Sequence, residues 1–398
     1  MSPRTEGQER RLRVAYLTMR DPNDRRSWSG TIFQMARALE SQCDLVRVGP
    51  LEPFSLKIGK AIHHGMRLIT GRNYLYTHTA RVCKGAGLKA GRKLAGDTFD
   101  VIFAPAGCGI VAHLETKLPI VYLSDTTFHL MVDYYSDFSN LSESQRSVAD
   151  KIERKGILKA HQLVFPSSWA AQSAVDDYGA DPSRVHVVPF GANIENPPRA
   201  DEVLQERPTV GCRLLFVGVN WDRKGGEIAF ETLVQLERSG IPAELTVVGC
   251  KPPEHVAHPK LRVFPFLDKN DPQQRAQLDD LYRQATFFIL PTRAECFSIA
   301  LCEANAYGLP ILSTRTGGLA ELVLEGVNGF LFSLDSRGDR YAAKIRDAYS
   351  SPAAYQALRV ASREQYETRL NWTAWGSRMR EIFWKAVPSA SNNRLDLQ

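Results

Sequence analysis

The residues best placed for chemistry lie in one stretch, 286–318, which reads TFFILPTRAECFSIALCEANAYGLPILSTRTGG. It carries two carboxylates in an E-x7-E arrangement, Glu295 and Glu303. Glu295 stands where a loop turns into a helix. Glu303 stands inside that helix, among Phe297, Ile299, Ala300, Leu301, Ala304 and Ala306, which leave almost no polar face before Gly308 and Pro310 end it. A carboxylate on a buried helix is costly unless something pairs with it or hydrogen-bonds to it. Gly317 and Gly318 follow a short apolar run and allow close backbone approach to whatever lies there.

A second chemical cluster lies upstream in LLFVGVNWDRKGGEIAFETLVQL, where Arg223, Lys224, Gly225 and Gly226 separate an apolar run from a helix pattern. Two adjacent cations and two glycines at a helix N-terminus suit an anionic group such as a diphosphate. The spacing satisfies neither the GxxxxGK[ST] phosphate loop nor the GxGxxG dinucleotide turn. A third cluster is SDTTFHLMVDYY, with Asp125 and His129 as its titratable residues. A cap or turn role for the Asp, and a structural or surface role for the His, stand beside a catalytic one. At Ser29 and Gly30 a strand-to-helix turn exposes backbone amides, with Ser29 as the expected cap; an ordinary βα turn is the alternative.

These clusters need elements to hold them. Short apolar runs at Leu12–Thr18, Cys43–Val48, Asp100–Ala104, Ile120–Leu123 and within QLVFPSS read as buried strands alternating with helices. The alternation resumes from Leu214–Val217 through Glu244–Val248, Leu261–Phe264 and Thr286–Leu290. Between them NIENPPRADEVLQERPTVG is polar, Pro-rich and without periodicity, which predicts a linker. We therefore expect an α/β protein of two Rossmann-like domains: residues 1–192, a linker at 193–209, and residues 210–372, with a helix at about 373–390 packing back on the first domain.

A length of 398 residues with 43% hydrophobic content supports two ordinary cores. No run of eighteen apolar residues and no apolar signal core are present, so a cytoplasmic location is expected, with peripheral attachment to the inner membrane face as a further reading. The seven cysteines show no metal or disulfide spacing and read as reduced core or loop thiols. The net charge of +6 is unevenly spread. Residues 56–96 hold Lys57, Lys60, Arg67, Arg72, Arg81, Lys84, Lys89, Arg92 and Lys93 with no Asp or Glu, so the rest of the chain is slightly acidic. That excludes a general nucleic-acid coat and predicts one local basic surface on amphipathic helices. A solvated face, an anionic membrane contact and an anionic-acceptor dock are its three readings.

Taken in order, E-x7-E, the strand-loop element ending Lys224-Gly225, PFGAN, and TGGLAELVLEGVNGFL with Gly317, Gly318 and Glu321 make the chain resemble the retaining nucleotide-sugar glycosyltransferases of family 4. That resemblance implies the GT-B architecture, with two parallel sheets facing a central cleft. It implies a donor diphosphate held by Arg223, Lys224 and the backbone amides around Phe297 and Ser298. Glu295 would face the donor sugar and Glu303 the ribose hydroxyls, a ligand thereby satisfying the buried carboxylate; a salt bridge for Glu303 and a helix-dipole role for Glu295 are the structural alternatives. Gly30, Gly249 and Val263 complete the expected donor contacts. Two positions depart from the family. Val219 stands where its Arg usually follows the first Gly, and Ser124 and Asp125 replace its first-domain His, leaving Asp125 to contact sugar or acceptor.

The implied reaction moves a hexose from a UDP- or GDP-sugar to a hydroxyl of a lipid, glycan or small-molecule acceptor, with retention, no metal and no cofactor. No Asp-x-Asp motif stands at a strand end, and a leaving phosphate oxygen can take the acceptor's proton. A sugar-nucleotide epimerase on the same fold, or an inactive protein that binds glycan or nucleotide sugar, are the rival readings.

Overall fold

The computed structural model describes residues 10–25, 27–205 and 211–388. Among the described residues twelve strands form two sheets. The first sheet contains β1 (Arg13–Leu17), β2 (Asp44–Val48), β3 (Val101–Pro105), β4 (Ile120–Leu123), β5 (Gln162–Phe165) and β6 (Val185–Val187), in the order β2-β1-β3-β4-β5-β6. The second contains β7 (Cys212–Val217), β8 (Ala243–Val248), β9 (Leu261–Phe264), β10 (Phe287–Leu290), β11 (Ile311–Thr314) and β12 (Gly329–Phe332), in the order β12-β11-β10-β7-β8-β9. Every pairing is parallel. Helices cover both faces of such sheets, so central strands must be apolar along their whole length. The fully buried runs VIFAP, IVYL and FFIL meet that demand.

The strand orders decide where chemistry can sit. Crossovers leave β1 to one side toward β2 and to the other toward β3, so the loops after β1 and β3 diverge at their carboxyl ends. In the second sheet the reversal falls between β7 and β10. The loops after those four strands therefore bound a crevice in each sheet. They carry Gly30, Arg223, Lys224 and Glu295.

The chain divides into two compact units. The described residues of Met1–Phe165, Ala171–Val188 and Gly376–Gln398 make one, and those of Pro166–Ala170 and Pro189–Trp375 make the other. Thus the helix Trp372–Ala386 contributes Met379, Ile382 and Phe383 to the first core, with the Phe383 ring 5.5 Å from that of Phe103. The first unit gives way at Val188 and not at residue 192, because Phe190 packs edge-on against Phe297 at 5.1 Å and Asn193 accepts a hydrogen bond from Trp372 Nε1 at 3.0 Å.

The stretch expected as an interdomain linker, 193–209, is also different. Residues 193–205 belong to the second unit and include a helical turn, Ala200–Val203. The buried Arg359 guanidinium holds that turn by donating to the carbonyls of Val203 and Gln205. A long-range partner of this kind leaves no local pattern. Residues 206–210 and the last positions of the expected C-terminal helix, 389–390, lie outside the described residues.

Of the two helices in the basic segment, Ala80–Leu94 buries Val82, Cys83, Ala86 and Ala90 against its unit. The other, Phe54–Thr70, buries only Gly59. There a Cβ would lie 2.7 Å from Tyr76 Cβ, so the missing side chain lets the helix rest on Tyr76.

Candidate functional site

In the second unit, β7 ends at Val217 and the chain passes through Gly218 to Asn220, whose side chain caps the helical turn Trp221–Lys224 by accepting from Arg223 N at 2.8 Å. Arg223 and Lys224 are therefore in a turn of helix, where the sequence predicted loop. Gly225 then reverses the backbone at φ 76° into the helix Gly226–Arg238. Only glycine fits that position, since a Cβ would sit 2.0 Å from the Pro291 carbonyl oxygen. The close approach brings the loop after β7 onto the loop after β10. Arg293 N donates to Arg223 O at 2.7 Å, and Thr292 Oγ1 donates to the same oxygen at 3.0 Å.

This clamp brings Arg223, Lys224 and Glu295 together. Lys224 Nζ donates to Glu295 Oε2, and Arg223 Nη1 lies 3.5 Å from that oxygen while donating to Ala294 O at 2.7 Å. Lys224 and Glu295 are both buried. The next residues, Phe297 and Ser298, are buried too, and Ser298 opens the helix Ile299–Ala306 without a side-chain cap bond. Leu301 N already donates to Ser298 O at 3.2 Å, so the capacity for an anion at this helix start rests with the amides before Leu301. Gly318 packs against the same loop, with room for a Cβ denied by Cys296 O at 2.3 Å and Ser167 Oγ at 2.6 Å. Glu321 is held by Ser168 Oγ at 2.8 Å and by Arg369, a role in anchoring the Gly317–Glu321 turn.

Glu303 is satisfied by the protein itself, as in the salt-bridge alternative read from the sequence, with a Lys as the cation. Tyr282 Oη donates to its Oε2 at 3.0 Å, and Lys269 Nζ donates to its Oε1. A buried carboxylate in low dielectric recruits the nearest cation and donor. Here they come from the loop before and the body of the helix Pro272–Gln284. Sequence reasoning missed both, because Tyr282 fits an apolar helix face and Lys269 sits among turn residues. Gly249 turns at φ 100° against Gly218 O, and its amide donates to Phe264 O at 2.9 Å, one residue after Val263 in β9. Val219 is 76% exposed and makes no part of the cluster.

The first unit has its own recess at the β1/β3 divergence. Trp28, Ser29 and Gly30 all adopt left-handed backbone, at φ 50°, 56° and 85°. Gly30, not Ser29, is the N-cap of the helix Thr31–Glu40, and no side chain caps it, because the left-handed turn carries Ser29 past the capping position. Trp28 Nε1 donates to Asp125 Oδ2 at 3.3 Å. His129 is largely exposed, with Nε2 3.7 Å from Asp177. Asp125 and His129 are thus not brought into one pair.

A cavity of about 270 Å³ next to Asp125 is lined by Trp28, His78, Ser124, Thr126 and Glu153 among others. Glu153 is buried in the helix Glu143–Lys159 and accepts from Tyr122 Oη at 3.2 Å. Burial pushes its carboxyl up to about 7. The signal that could have revealed it is its place on the apolar face with Ala149, Ile152, Gly156 and Ile157.

Two parallel sheets with ligand-ready loops at both reversals define a protein of the GT-B class, and known proteins of that architecture share the fold. A sucrose-phosphate synthase from Thermosynechococcus elongatus matches 94% of this chain and 99% of its own with a TM-score of 0.64 at 17% identity. The Anabaena protein HepE in complex with UDP matches 94% of this chain and all of its own, with a TM-score of 0.63 at 15% identity. Residues 29–196 match the model for Glycosyltransferase Family 4 and residues 211–351 the model for Glycosyl transferases group 1. Both matches are to glycosyltransferase models, and the chain is a family-4-like glycosyltransferase.

Among its relatives, D-inositol 3-phosphate glycosyltransferase 1 of Catenulispora acidiphila is 30% identical over 250 residues, 58% of this chain and 59% of the relative. The D-inositol 3-phosphate glycosyltransferase of Nocardiopsis dassonvillei is 25% identical over 291 residues, 69% of this chain and 67% of the relative. The first match thus spans about three-fifths of that relative's length.

Proposed function

We propose that the protein transfers a hexose from a UDP- or GDP-linked donor to a hydroxyl acceptor, with retention of anomeric configuration. The observation that carries this reading is the convergence of Arg223, Lys224 and Glu295 beside the helix start at Ser298. Two cations and a helix N-terminus are what a departing diphosphate requires, because they stabilise negative charge that grows in the transition state. In this reading the diphosphate takes over Lys224 and Arg223 from Glu295, which frees the carboxylate to accept from hydroxyls of the donor sugar. Glu303 receives the ribose, exchanging its Lys269 contact for ligand hydroxyls while Tyr282 keeps it in place. Gly249 and Val263 line the base side, Gly30 offers its amide toward the donor, and Asp125 meets the sugar or acceptor.

With this positive field no metal is required, so activity is expected to survive EDTA. A strict Mg²⁺ requirement would contradict the reading. The family models and the named relatives are glycosyltransferases, which favours transfer over epimerisation or mere binding. The test is nucleoside diphosphate release from UDP- and GDP-hexoses, with and without an acceptor panel. The curated relatives carry D-inositol 3-phosphate in their names, so that compound joins lipid and glycan extracts in the panel. Arg223→Ala and Lys224→Ala should each lower turnover about 10²-fold or more. Normal turnover in both variants would sink the assignment.

The protein is further proposed to touch an anionic membrane through the helix Phe54–Thr70. Among the described residues no helix is long and apolar enough to cross a membrane. This helix instead offers an exposed apolar stripe beside its cations, as an interfacial helix does.

A further inference from the structure

The first unit contains a larger cavity, of about 560 Å³, between the loop after β1, the loop after β3 and the helix Phe54–Thr70. It adjoins the cavity beside Asp125, since Trp28, His78, Ala106 and Cys108 line both. Three cations from two separate elements line it: Arg20 from the loop after β1, and Lys57 and Lys60 from the helix. One carboxylate, Glu52, is present, and it lies 4.0 Å from Arg20. Neither Lys57 nor Lys60 makes an ion pair among the described residues. His78 adds no charge at neutral pH, because burial against Phe128 and Phe138 lowers it to about 4. The lining of the larger cavity is therefore cationic by two, while that of the adjoining one holds Asp125 and Glu153.

Backbone strain is concentrated at the same place. Of the non-glycine residues with left-handed backbone, Trp28 and Ala106 line both cavities and Ser29 adjoins them. Such backbone is unfavourable for a residue that carries a Cβ. Trp28 lines both cavities with its indole on Asp125, and Gly59 lets the helix that carries Lys57 and Lys60 rest on Tyr76, which also lines the larger cavity.

Resting on the glycosyltransferase reading, we propose that Arg20, Lys57 and Lys60 form a cradle for a phosphate group carried by the acceptor, whose hydroxyl-bearing end lies past Trp28 toward Asp125. The cradle selects acceptors that carry an anion a short distance from the hydroxyl that is glycosylated. Such a phosphate belongs either to a soluble phosphorylated polyol or to a lipid head group.

The experiment measures binding of glycerol 3-phosphate and of glycerol to the full chain by calorimetry, beside binding of UDP and GDP by thermal shift. Lys57→Gln/Lys60→Gln is compared with Arg67→Gln/Arg72→Gln, which removes equal charge away from the cavity. The cradle predicts saturable binding of glycerol 3-phosphate but not glycerol, weakened about tenfold or more in the Lys57/Lys60 variant and much less in the Arg67/Arg72 variant. Equal loss in both variants, or no binding to the parent, overturns it. Vesicles of phosphatidic acid in phosphatidylcholine separate the two sources. Displacement of these vesicles by glycerol 3-phosphate identifies a lipid phosphate, and vesicle binding that ignores the Lys57/Lys60 change identifies a soluble one. If glycerol 3-phosphate binds as predicted but neither UDP nor GDP raises the melting temperature, the glycosyltransferase reading fails while the cradle stands. Nucleotide binding without phosphate binding overturns the cradle and leaves the glycosyltransferase reading standing.

Discussion

Lys224 and Glu295 are a buried ion pair, and such pairs are held together more by the cost of separating them than by net gain over apolar neighbours. Lys224→Met takes from buried Glu295 its nearest cation and leaves Arg223 at 3.5 Å. The variant should lose about 3 kcal/mol in urea unfolding, and Lys224→Met/Glu295→Gln should recover most of it. Equal loss in the single and double variants would show that the two side chains are not coupled. Glu153 gives a pH-dependent counterpart. Its carboxyl is raised to about 7 from an ordinary 4.5, so the folded protein holds a proton that the unfolded chain releases first. Stability from this residue is intact below pH 4.5, falls as pH rises, and is lost above about pH 7, on the order of 3 kcal/mol in full. Glu153→Gln keeps a neutral side chain there at every pH. The melting temperatures of parent and variant should therefore agree near pH 5 and diverge in favour of the variant by pH 8; a constant difference would refute a titrating Glu153. The groups facing it are Tyr122, Cys108, Asp125 and Asp150, and the two nearby carboxylates push the shift upward with burial.

At the scale of elements, the site depends on two loops closing over each other where β7 and β10 diverge. Gly225 is the point of contact, with left-handed backbone against Pro291 O. Gly225→Ala has no side-chain rotamer to relieve a clash with main chain, so it should destabilise by about 2 kcal/mol or more and disturb Arg223 and Lys224 together. A folded variant of parental stability and turnover would contradict that clamp. Much of this arrangement was legible in the sequence. Short apolar runs marked the strands, Gly-Gly pairs marked the close approaches, and the types and order of Arg223, Lys224 and Glu295 marked residues that the two loops bring together. What was not legible came from distant partners. Lys269 and Tyr282 reach Glu303 from another helix and its preceding loop, and Arg359 turns an apparent linker into a packed turn. Trp28 stood in a polar loop whose left-handed backbone has no glycine until Gly30, so its place against Asp125 had no local signal.

At the scale of the molecule, a net charge of +6 hides a basic segment and a slightly acidic remainder. The helix Phe54–Thr70 gives that asymmetry a surface. Phe54, Ile58, Ile62 and Ile69 follow at spacings of one and two turns on one side, with Leu68 beside them; Phe54, Leu68 and Ile69 are 76%, 74% and 86% exposed. Lys57, Lys60 and Arg67 occupy the adjoining side. A solvated charged helix has no use for such a stripe, whereas a lipid interface takes the apolar residues and the anionic head groups take the cations. Each apolar side chain that enters the interface contributes up to about 1.5–3 kcal/mol, and each nearby cation about 1 kcal/mol on an anionic surface. The full chain should therefore sediment with phosphatidylserine-containing vesicles, less so as salt rises, and weakly with phosphatidylcholine alone. Phe54→Ser/Leu68→Ser/Ile69→Ser should lower binding at every salt concentration, because it removes the unscreened apolar share. Arg67→Gln/Arg72→Gln should instead lower it most at low salt and flatten the salt dependence. Equal indifference to both vesicle types would leave the stripe without a lipid role, and retained binding in the triple Ser variant would assign the attraction to charge alone.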